Sequence, residues 1–343
     1  MQTSIQKIAI VGVGAVGGVF AGLLGADLAN KKIQLSALAR GHSLDVLRRE
    51  GLTWVDAHEV THHVPLTVSD NPADLGPQDL VIVAVKGPAM PSVAAAVRAL
   101  LAPHTTVLVA MNGIPWWFFD GLGGACDGLT LPAVDPEGVT AQHIPTSHVL
   151  GCVVHFTAQS PTPGRIEKIK GHHLILGEPA GGRSERAQAV AALLTDVGFD
   201  VKVSERIQQD IWFKLWGNMT MNPVSAITGA PCDQILDDPL VRAFCSAVML
   251  EAQTIGNRIG CVIEQDPEAR HRVTRSLGSF KTSMLQDVEA GKPIELDALV
   301  GVVQEIGQHL HVETPNINAL LGLTRLMAQG SGLYPLKSES NQR

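Results

Sequence analysis

The sequence predicts an α/β protein with an N-terminal Rossmann-type, doubly wound domain and a C-terminal all-helical domain. Three observations predict this architecture. Short apolar runs alternate with helical segments over residues 8–204, a glycine-rich turn follows the first run, and strand alternation fades after about Glu205. Strands that alternate with helices are typical of parallel βαβ units. We therefore expect domains at 1–204 and 205–332, followed by a flexible tail at 333–343.

The elements of the first domain follow from local patterns. Apolar runs predict strands at 8–11, 33–40, 79–86, 105–113, 149–155, 173–177 and 199–204. Three helices are predicted in this domain. The first follows the glycine-rich turn and runs to about Leu28, the second covers 90–102, and the third covers 184–198 and ends at Gly198. Long helical patterns occupy the second domain.

Composition narrows the function classes. The chain has 343 residues, of which 45% are apolar and 17% charged, and a net charge of -7. That balance permits a large core and argues against nucleic-acid binding, which needs a basic face. Five cysteines without a C-x-x-C pair, and histidines without H-E-x-x-H spacing, argue against disulfides and metal sites. The uncharged segment 8–26 contains six glycines, so a glycine loop fits better than a membrane span and we expect a soluble cytoplasmic protein.

The glycine-rich turn has the G-x-G-x-x-G pattern that binds dinucleotides when it joins a strand to a helix. Its members are Gly12, Val13, Gly14, Ala15, Val16 and Gly17. The first glycine permits a tight turn, the second lets the backbone approach a pyrophosphate, and the third lets helix and strand pack closely. The helix N-terminus then offers amide groups to the phosphates. A glycine turn without a ligand is the weaker alternative.

The second predicted strand indicates which dinucleotide binds. NAD sites usually place a carboxylate about 20 residues beyond the loop, to accept from the ribose 2′-hydroxyl. This chain has Arg40 in that region and no acidic residue between Asp27 and Asp45. A guanidinium can hold a 2′-phosphate, so Arg40 favours NADP(H) over NAD. Lys86 and Asn112 end two further strands, where ligands of open α/β sheets bind, although either could be a surface residue.

The segment 210–223, DIWFKLWGNMTMNP, carries three polar residues at helical spacing. Lys214, Asn218 and Asn222 are four residues apart, so they share one stripe of a helix that Trp212 and Trp216 predict to be buried. An ammonium beside two amides suits a small polar 2-oxo acid, whereas a snorkelling lysine with exposed asparagines is the alternative. Because Pro223 removes an N–H, we expect a kink or break there.

A second polar patch lies at 282–301. Ser283 and Asp287 are four apart on a predicted helix, and AGKP breaks it before Glu295 opens the next one. A carboxylate at a helix start is ordinarily a cap, and it could equally hold the charge of a lysine in a cleft.

Over residues 7–330 the sequence resembles the ketopantoate reductase (2-dehydropantoate 2-reductase) family. The stretches that carry the resemblance are VGVGAVGG, AR at 39–40, VAVKG, MNG, PGRI, WFKLWGNMTMNPVSA and TSMLQDVEAGKPIELDALVG. The resemblance implies NADPH-dependent reduction of 2-dehydropantoate to (R)-pantoate, on the route to pantothenate and coenzyme A.

The resemblance also implies roles for individual residues. Lys214 would donate the proton, with Glu295 beside it and the cofactor. The implied substrate ligands are Asn112, Asn218, Asn222 and Ser283. The implied cofactor ligands, besides the glycine turn, are Arg40, Lys86, Asn112, Thr157 and Glu295.

Two departures from the family leave the substrate open. The aromatic run 116–119, which begins with Trp116 and Trp117, follows Asn112 and could reshape a substrate site or fill a core or dimer interface. Phe280 stands where some members have a polar residue. A reductase of another branched or aromatic 2-oxo acid and a non-catalytic NADP-sensing regulator therefore remain alternatives. Apolar helices in the second domain further predict a homodimer.

Overall fold

A computed structural model describes residues 5–26, 33–56 and 58–336, without the side chains of 168 and 169. The chain divides into two compact units, Met1–Asp210 and Ile211–Arg343. Strands belong to the first unit, and the described part of the second consists of helices and their connections. The predicted α/β class with a helical C-terminal region is confirmed.

The N-terminal unit contains ten strands and five α-helices within the described residues. The strands are β1 (Lys7–Val11), β2 (Gln34–Leu38), β3 (Leu52–Val55), β4 (Thr61–Val64), β5 (Thr67–Ser69), β6 (Leu80–Val83), β7 (Thr106–Val109), β8 (Val149–Thr162), β9 (Arg165–Gly177) and β10 (Asp200–Val203). The helices are α1 (Ala15–Ala26), α2 (Gly41–Glu50), α3 (Met90–Arg98), α4 (Val139–His143) and α5 (Glu185–Asp196).

The strands form one sheet in the order β4-β3-β9-β8-β7-β6-β1-β2-β5, and β10 also pairs with β9. Pairing is parallel from β8 through β7, β6, β1 and β2 to β5, and antiparallel between β8 and β9. The long strand β9 binds β3 near its start and β10 near its end. The central strands β1, β6 and β7 are almost wholly buried, as expected for parallel strands with both faces covered.

Several elements of this unit were not predicted. The short strands β3, β4 and β5 and the helix α2 lie between the predicted strands at 33–40 and 79–86. Helix α1 ends at Ala26, and the predicted extension to Leu28 lies outside the described residues. Strands β8 and β9 are longer than predicted because they form an extended hairpin with each other.

The C-terminal unit begins inside α6 (Ile207–Thr228), which carries the chain out of the first unit. The helices that follow are α7 (Cys232–Asp237), α8 (Pro239–Arg258), α9 (Pro267–Ser276), α10 (Ser283–Glu289), α11 (Val302–His309) and α12 (Pro315–Gly330). A π-helical turn at Asp297–Gly301 leads into α11.

Of the predicted kink or break at Pro223, the break is wrong, because α6 continues through this residue to Thr228, and the kink stays a prediction. A proline removes one backbone N–H, a cost that surrounding packing can offset. Here Asn222, Val224 and Ser225 are all buried, and the Ser225 hydroxyl lies 2.5 Å from the Thr282 hydroxyl before α10. Tertiary contacts on both sides of the proline therefore hold the helix together.

The start of the predicted flexible tail is packed against the second unit. Leu333 is buried, its N–H donates to the Ala328 carbonyl, and its own carbonyl accepts from the Ile294 N–H at 3.2 Å. The Tyr334 hydroxyl donates to the Asp297 carboxylate at 2.7 Å. The prediction of a tail from residue 333 is thus wrong for its first two residues, and residues 337–343 lie outside the described part.

Candidate active site

The glycine turn joins β1 to α1, which is the connection that dinucleotide binding requires. Gly12 has φ +93°, a conformation that side chains disfavour. A Cβ on Gly17 would lie 2.1 Å from the Gly12 carbonyl oxygen, so the turn and the first helical turn touch. The Gly18 N–H donates to the Gly14 carbonyl at 2.7 Å, which starts the helix.

Gly14 differs from the other two motif glycines in what surrounds it. It is exposed, and a Cβ built on it would meet no atom within 4 Å. The protein itself therefore does not need glycine at this position for packing. Space above the backbone is what a phosphate needs if it is to reach the amide groups at a helix N-terminus, so the loop fits a dinucleotide pyrophosphate.

Arg40 lies two residues beyond the end of β2 and directly before α2. It is exposed, and one guanidinium nitrogen donates to the Ser92 carbonyl in α3 at 3.2 Å. Lys86 and Asn112 lie three residues beyond the ends of β6 and β7, and both are half-buried. Because β2, β6 and β7 run parallel to β1, these side chains follow the same sheet edge as the glycine turn.

Thr157 lies further along its strand than these residues do, beyond the part of the sheet that carries the glycine turn. It lies on β8 beyond the segment that pairs with β7, and its side chain is exposed. The register of the β8–β9 hairpin shifts on both sides of Thr157, between His155 and Thr157 and between Thr157 and Ala158.

In the second unit, α6 presents the polar stripe that the spacing predicts. Lys214 and Asn218 are half-buried, whereas Asn222 is only 5% exposed. The Trp216 indole N–H donates to the Met249 carbonyl in α8 at 2.8 Å, which fixes the rotation of α6 about its axis. Residues two apart on a helix point roughly 200° apart, so Lys214 and Asn218 project from the side opposite Trp216.

Two of the predicted substrate ligands meet in this unit. The Asn222 side-chain amide donates to the Ser283 hydroxyl at 3.3 Å, although the residues are 61 positions apart in the chain. Thr282 caps α10 by accepting from the Leu285 N–H, which places Ser283 at the first position of that helix. The exposed Ser283 hydroxyl and the buried Asn222 amide thus form one polar pair between α6 and α10.

Glu295 lies directly before the helical segment that begins with the π-helical turn, and it is half-buried. π-helical turns occur frequently at functional sites. Asp297, within the turn, accepts from the Tyr334 hydroxyl through both carboxylate oxygens, at 2.7 and 3.0 Å. Burial raises the pKa of Asp297, and the Tyr334 bond and the charge of Arg325 offset this only in part. Sequence reasoning missed this pair, because no local pattern connects a tail residue to the turn.

The aromatic run that left the substrate open is buried in the chain. Trp116 is 7% exposed and Trp117 is 1% exposed, and the two phenylalanines that follow are fully buried. A Cβ on Gly151 in β8 would lie 2.6 Å from the Trp117 ring, so this indole packs on the sheet. Of the alternatives for the run, core packing is therefore the one that the structure supports. Phe280 is half-buried, and its carbonyl accepts from the Cys232 N–H at 3.1 Å.

The described residues offer neither a reactive thiol nor a cluster of metal ligands. All five cysteines are buried thiols, and burial raises the pKa of Cys232 and of Cys245 to about 12. Throughout the described ranges no three potential metal-ligating side chains cluster. No described helix combines the length and the apolar character needed to cross a bilayer.

Comparison with known families covers nearly the whole chain. The model described as ketopantoate reductase PanE/ApbA matches residues 8–181, and its C-terminal counterpart matches residues 206–328. A 2-dehydropantoate 2-reductase from Mesorhizobium japonicum is 39% identical over 329 residues, which are 96% of this chain and 100% of the relative.

Solved structures agree with this match. A candidate ketopantoate reductase from Ralstonia solanacearum MolK2 is 56% identical, with a TM-score of 0.92 over 96% of this chain and 100% of that one. Two structures share the fold at lower identity. D-mandelate dehydrogenase with NADH and anilino(oxo)acetate has a TM-score of 0.81 at 18% identity, over 96% of this chain and 100% of that one. A dimeric ketopantoate reductase from Staphylococcus aureus has a TM-score of 0.74 at 21% identity, over 95% of this chain and 100% of that one.

Proposed function

The chain belongs to the ketopantoate reductase family, and on that premise we propose that it reduces 2-dehydropantoate to (R)-pantoate with NADPH. This reaction lies on the route to pantothenate and coenzyme A. The observation that carries the proposal is the contact between Asn222 and Ser283, because it joins a predicted substrate ligand on the helix that bears Lys214 to a second one at the start of α10. Two neutral polar groups beside an ammonium suit an acid that carries both an oxo group and a hydroxyl.

The proposed mechanism assigns a task to each polar group of the second unit. When bound, the nicotinamide supplies the hydride to C2 of the substrate. The Lys214 ammonium stabilises the charge that develops on the C2 oxygen and then donates its proton there. Asn218, Asn222 and Ser283 orient the substrate by hydrogen bonds, and the Glu295 carboxylate holds the charge of the lysine. Such general acid catalysis contributes roughly 10²–10⁴-fold to the rate.

The preference for NADPH rests on Arg40. Its contact with the Ser92 carbonyl orients an exposed guanidinium at the end of β2, the strand whose end meets the adenosine ribose in this fold class. A guanidinium favours the 2′-phosphate of NADP(H), where a carboxylate would favour the hydroxyl of NAD. Lys86, Asn112 and Thr157 complete the proposed set of cofactor ligands with the glycine turn.

Another 2-oxo acid is the second candidate substrate. Phe280 is an apolar residue three positions before Ser283. It would pack more favourably against the side chain of a branched or aromatic 2-oxo acid than against that of a hydroxylated 2-oxo acid. The burial of Trp116 and Trp117 weighs against an aromatic substrate that depends on them. A regulator that binds NADP without turnover is disfavoured, because it has no use for a proton donor at Lys214.

The proposed function is tested by following nicotinamide absorbance with purified protein. NADPH and NADH are each combined with 2-dehydropantoate, with a branched 2-oxo acid that lacks the hydroxyl, and with phenylglyoxylate. We expect the highest kcat/KM with NADPH and 2-dehydropantoate. A higher kcat/KM with another acid would move the assignment to the second candidate, and binding of NADPH without oxidation by any acid would identify a regulator.

We further propose that the protein is a homodimer through its helical unit. Leu323 and Leu326 are one turn apart on α12, and they are 59% and 71% exposed. We take this apolar pair as the candidate contact, since exposed apolar surface marks a protein–protein interface where it is contiguous. A second copy of this chain is the proposed occupant, since the Staphylococcus aureus relative is dimeric.

A further inference from the structure

Arg270, a residue that sequence reasoning did not single out, lies against the helix that bears Lys214. It belongs to the first turn of α9, and its guanidinium carbon is 5.3 Å from the centre of the Phe213 ring. A Cβ built on Gly217 would lie 2.9 Å from its Nε and 3.0 Å from its Nη2. The guanidinium therefore rests on α6, over the surface that Phe213 and Gly217 form.

This guanidinium has no anion beside it in the described part of the chain. Its Nε is buried without a hydrogen-bond partner, and the described ion pairs do not include it. Burial lowers the pKa of Arg270, and no neighbouring carboxylate opposes that shift. Arg270 as a whole is half-buried, but a buried guanidinium N–H without an acceptor is unfavourable. The position is therefore explained if an anion binds there during function.

The position of Arg270 against Gly217, one helical turn after Lys214, indicates which anion this is. Gly217 follows Lys214 by three residues, so the two positions are neighbours on the helix surface. Phe213 also lines an open groove of about 400 Å³ with residues 262–265, among them Glu264, so the ring on which the guanidinium rests is next to open space. In a 2-oxo acid the carboxylate and the oxo group are on adjacent carbon atoms, and two neighbouring cations match that arrangement.

We propose that Arg270 binds the carboxylate of the 2-oxo acid substrate while Lys214 acts on the oxo group. The inference rests on the proposed function and adds a substrate-binding residue to it. A guanidinium can donate two parallel hydrogen bonds to a carboxylate, which fixes the orientation of the acid as well as binding it.

The test compares an acid with its neutral methyl ester in wild type and Arg270→Gln. Glutamine keeps a polar chain but removes the charge. Because hydrogen bonds to charged groups are the stronger ones, we expect kcat/KM for the acid to fall about 10- to 100-fold, mainly through KM. We expect kcat/KM for the ester to stay the same. Arg272→Gln is the matched control, since Arg272 is exposed on the same helix.

Two further variants separate charge from packing. Arg270→Lys keeps the positive charge and should retain part of the preference for the acid over the ester. Gly217→Ala keeps Arg270 but pushes a methyl group into its guanidinium, and alanine is favourable in a helix. We expect this variant to fold and to lose preference for the acid in the same direction as Arg270→Gln. Both remain informative if Arg270→Gln does not fold.

The outcomes separate this inference from the proposed function. If wild type reduces 2-oxo acids but Arg270→Gln loses acid and ester activity equally, Arg270 is a structural residue and the inference is overturned. If wild type neither binds nor reduces any 2-oxo acid, the proposed function fails, and the inference fails with it. If Arg270→Gln loses activity toward the acid but not toward the ester, and Arg272→Gln keeps both activities, the proposed function and the inference are both supported.

Discussion

At the residue scale, the buried carboxylate of Glu178 and the half-buried one of Asp297 show how the partner decides the direction of a pKa shift. Burial would raise the pKa of Glu178, but Arg186 donates to both of its oxygens, at 2.7 and 2.5 Å, and with Ser184 it lowers the pKa. Asp297 has the neutral donor Tyr334 in direct contact, so burial prevails and its pKa is raised. The two acids therefore contribute to stability with opposite dependence on pH.

Replacing Asp297 by asparagine tests this opposition. Its folded-state pKa lies above the ordinary value of 3.8, so the folded protein holds the proton more tightly and the free energy of unfolding falls as pH rises through that window. Asparagine can still accept from Tyr334 without carrying a charge. We expect Asp297→Asn to be at least as stable as wild type at about pH 7, measured by urea unfolding. Asp45→Asn, at an exposed carboxylate, is the control, and an Asp297→Asn protein that is less stable than wild type at neutral pH would contradict the argument.

Replacing Lys214 tests the proposed proton donor. Lys214→Ala removes the ammonium that offsets charge on the C2 oxygen, so we expect kcat to fall by at least about 10²-fold while the protein still binds NADPH. The measurement is steady-state reduction of 2-dehydropantoate, with cofactor affinity from fluorescence. Lys281→Ala serves as the comparison, because Lys281 is exposed and pairs with Glu289 at 2.6 Å. Near-normal turnover by a folded Lys214→Ala protein would remove the residue from this role.

At the element scale, buried parallel strands were predictable and paired edge strands were not. Strands β1, β6 and β7 are continuous apolar runs because both of their faces are covered. Strand β3 owes its place to pairing with β9, more than 100 residues later, and β4 depends in turn on β3. Their short sequences, LTWV and THHV, carry no comparable signal.

The same distinction separates the site residues. Lys214 and Asn222 could be proposed as site residues from the sequence because helical spacing is a local pattern. Arg270 and Tyr334 were missed because their partners, Phe213 and Asp297, are distant in the chain. Pro223 is a local signal that wrongly predicted a helix break. The helix continues because contacts of α6 with Thr282 and Ser283 outweigh the loss of one backbone N–H.

The glycine turn yields a prediction at this scale, because two of its glycines are required for different reasons. A methyl group on Gly17 would strike the Gly12 carbonyl, whereas one on Gly14 meets no protein atom. We expect Gly14→Ala to keep the melting temperature and raise KM for NADPH, since the methyl group occupies the space of the phosphate. Gly17→Ala should lower the melting temperature. Equal melting temperatures, or an unchanged KM in Gly14→Ala, would contradict this division.

At the scale of the whole molecule, the proposed reaction requires both units. The glycine turn, Arg40, Lys86 and Asn112 belong to the first unit, and Lys214 with its neighbouring amides belongs to the second. In the proposed reaction, cofactor affinity and proton donation therefore depend on different parts of the chain. Variants of the first group should change KM for NADPH, and those of the second should change the chemical step and the KM of the acid.

The proposed homodimer is a second property of the whole molecule. We expect wild type to sediment as a dimer and the double variant Leu323→Glu, Leu326→Glu to sediment as a monomer, because buried carboxylates without partners oppose association. Analytical ultracentrifugation at several concentrations measures this. Val60→Glu, at an exposed apolar residue of the first unit, is the control. A double variant that remains dimeric would place the interface elsewhere.

The hydrogen bond from Tyr334 to Asp297 makes the chain unusually simple to monitor. Tyr334 is the single tyrosine of the sequence, so one isotope-labelled ring gives one resonance that reports on the π-helical turn beside Glu295. Burial and the neighbouring carboxylate raise the pKa of its hydroxyl, so the ring should resist nitration while the contact lasts. An affinity tag is therefore better fused at the N-terminus, away from Tyr334 and its use as a spectroscopic probe.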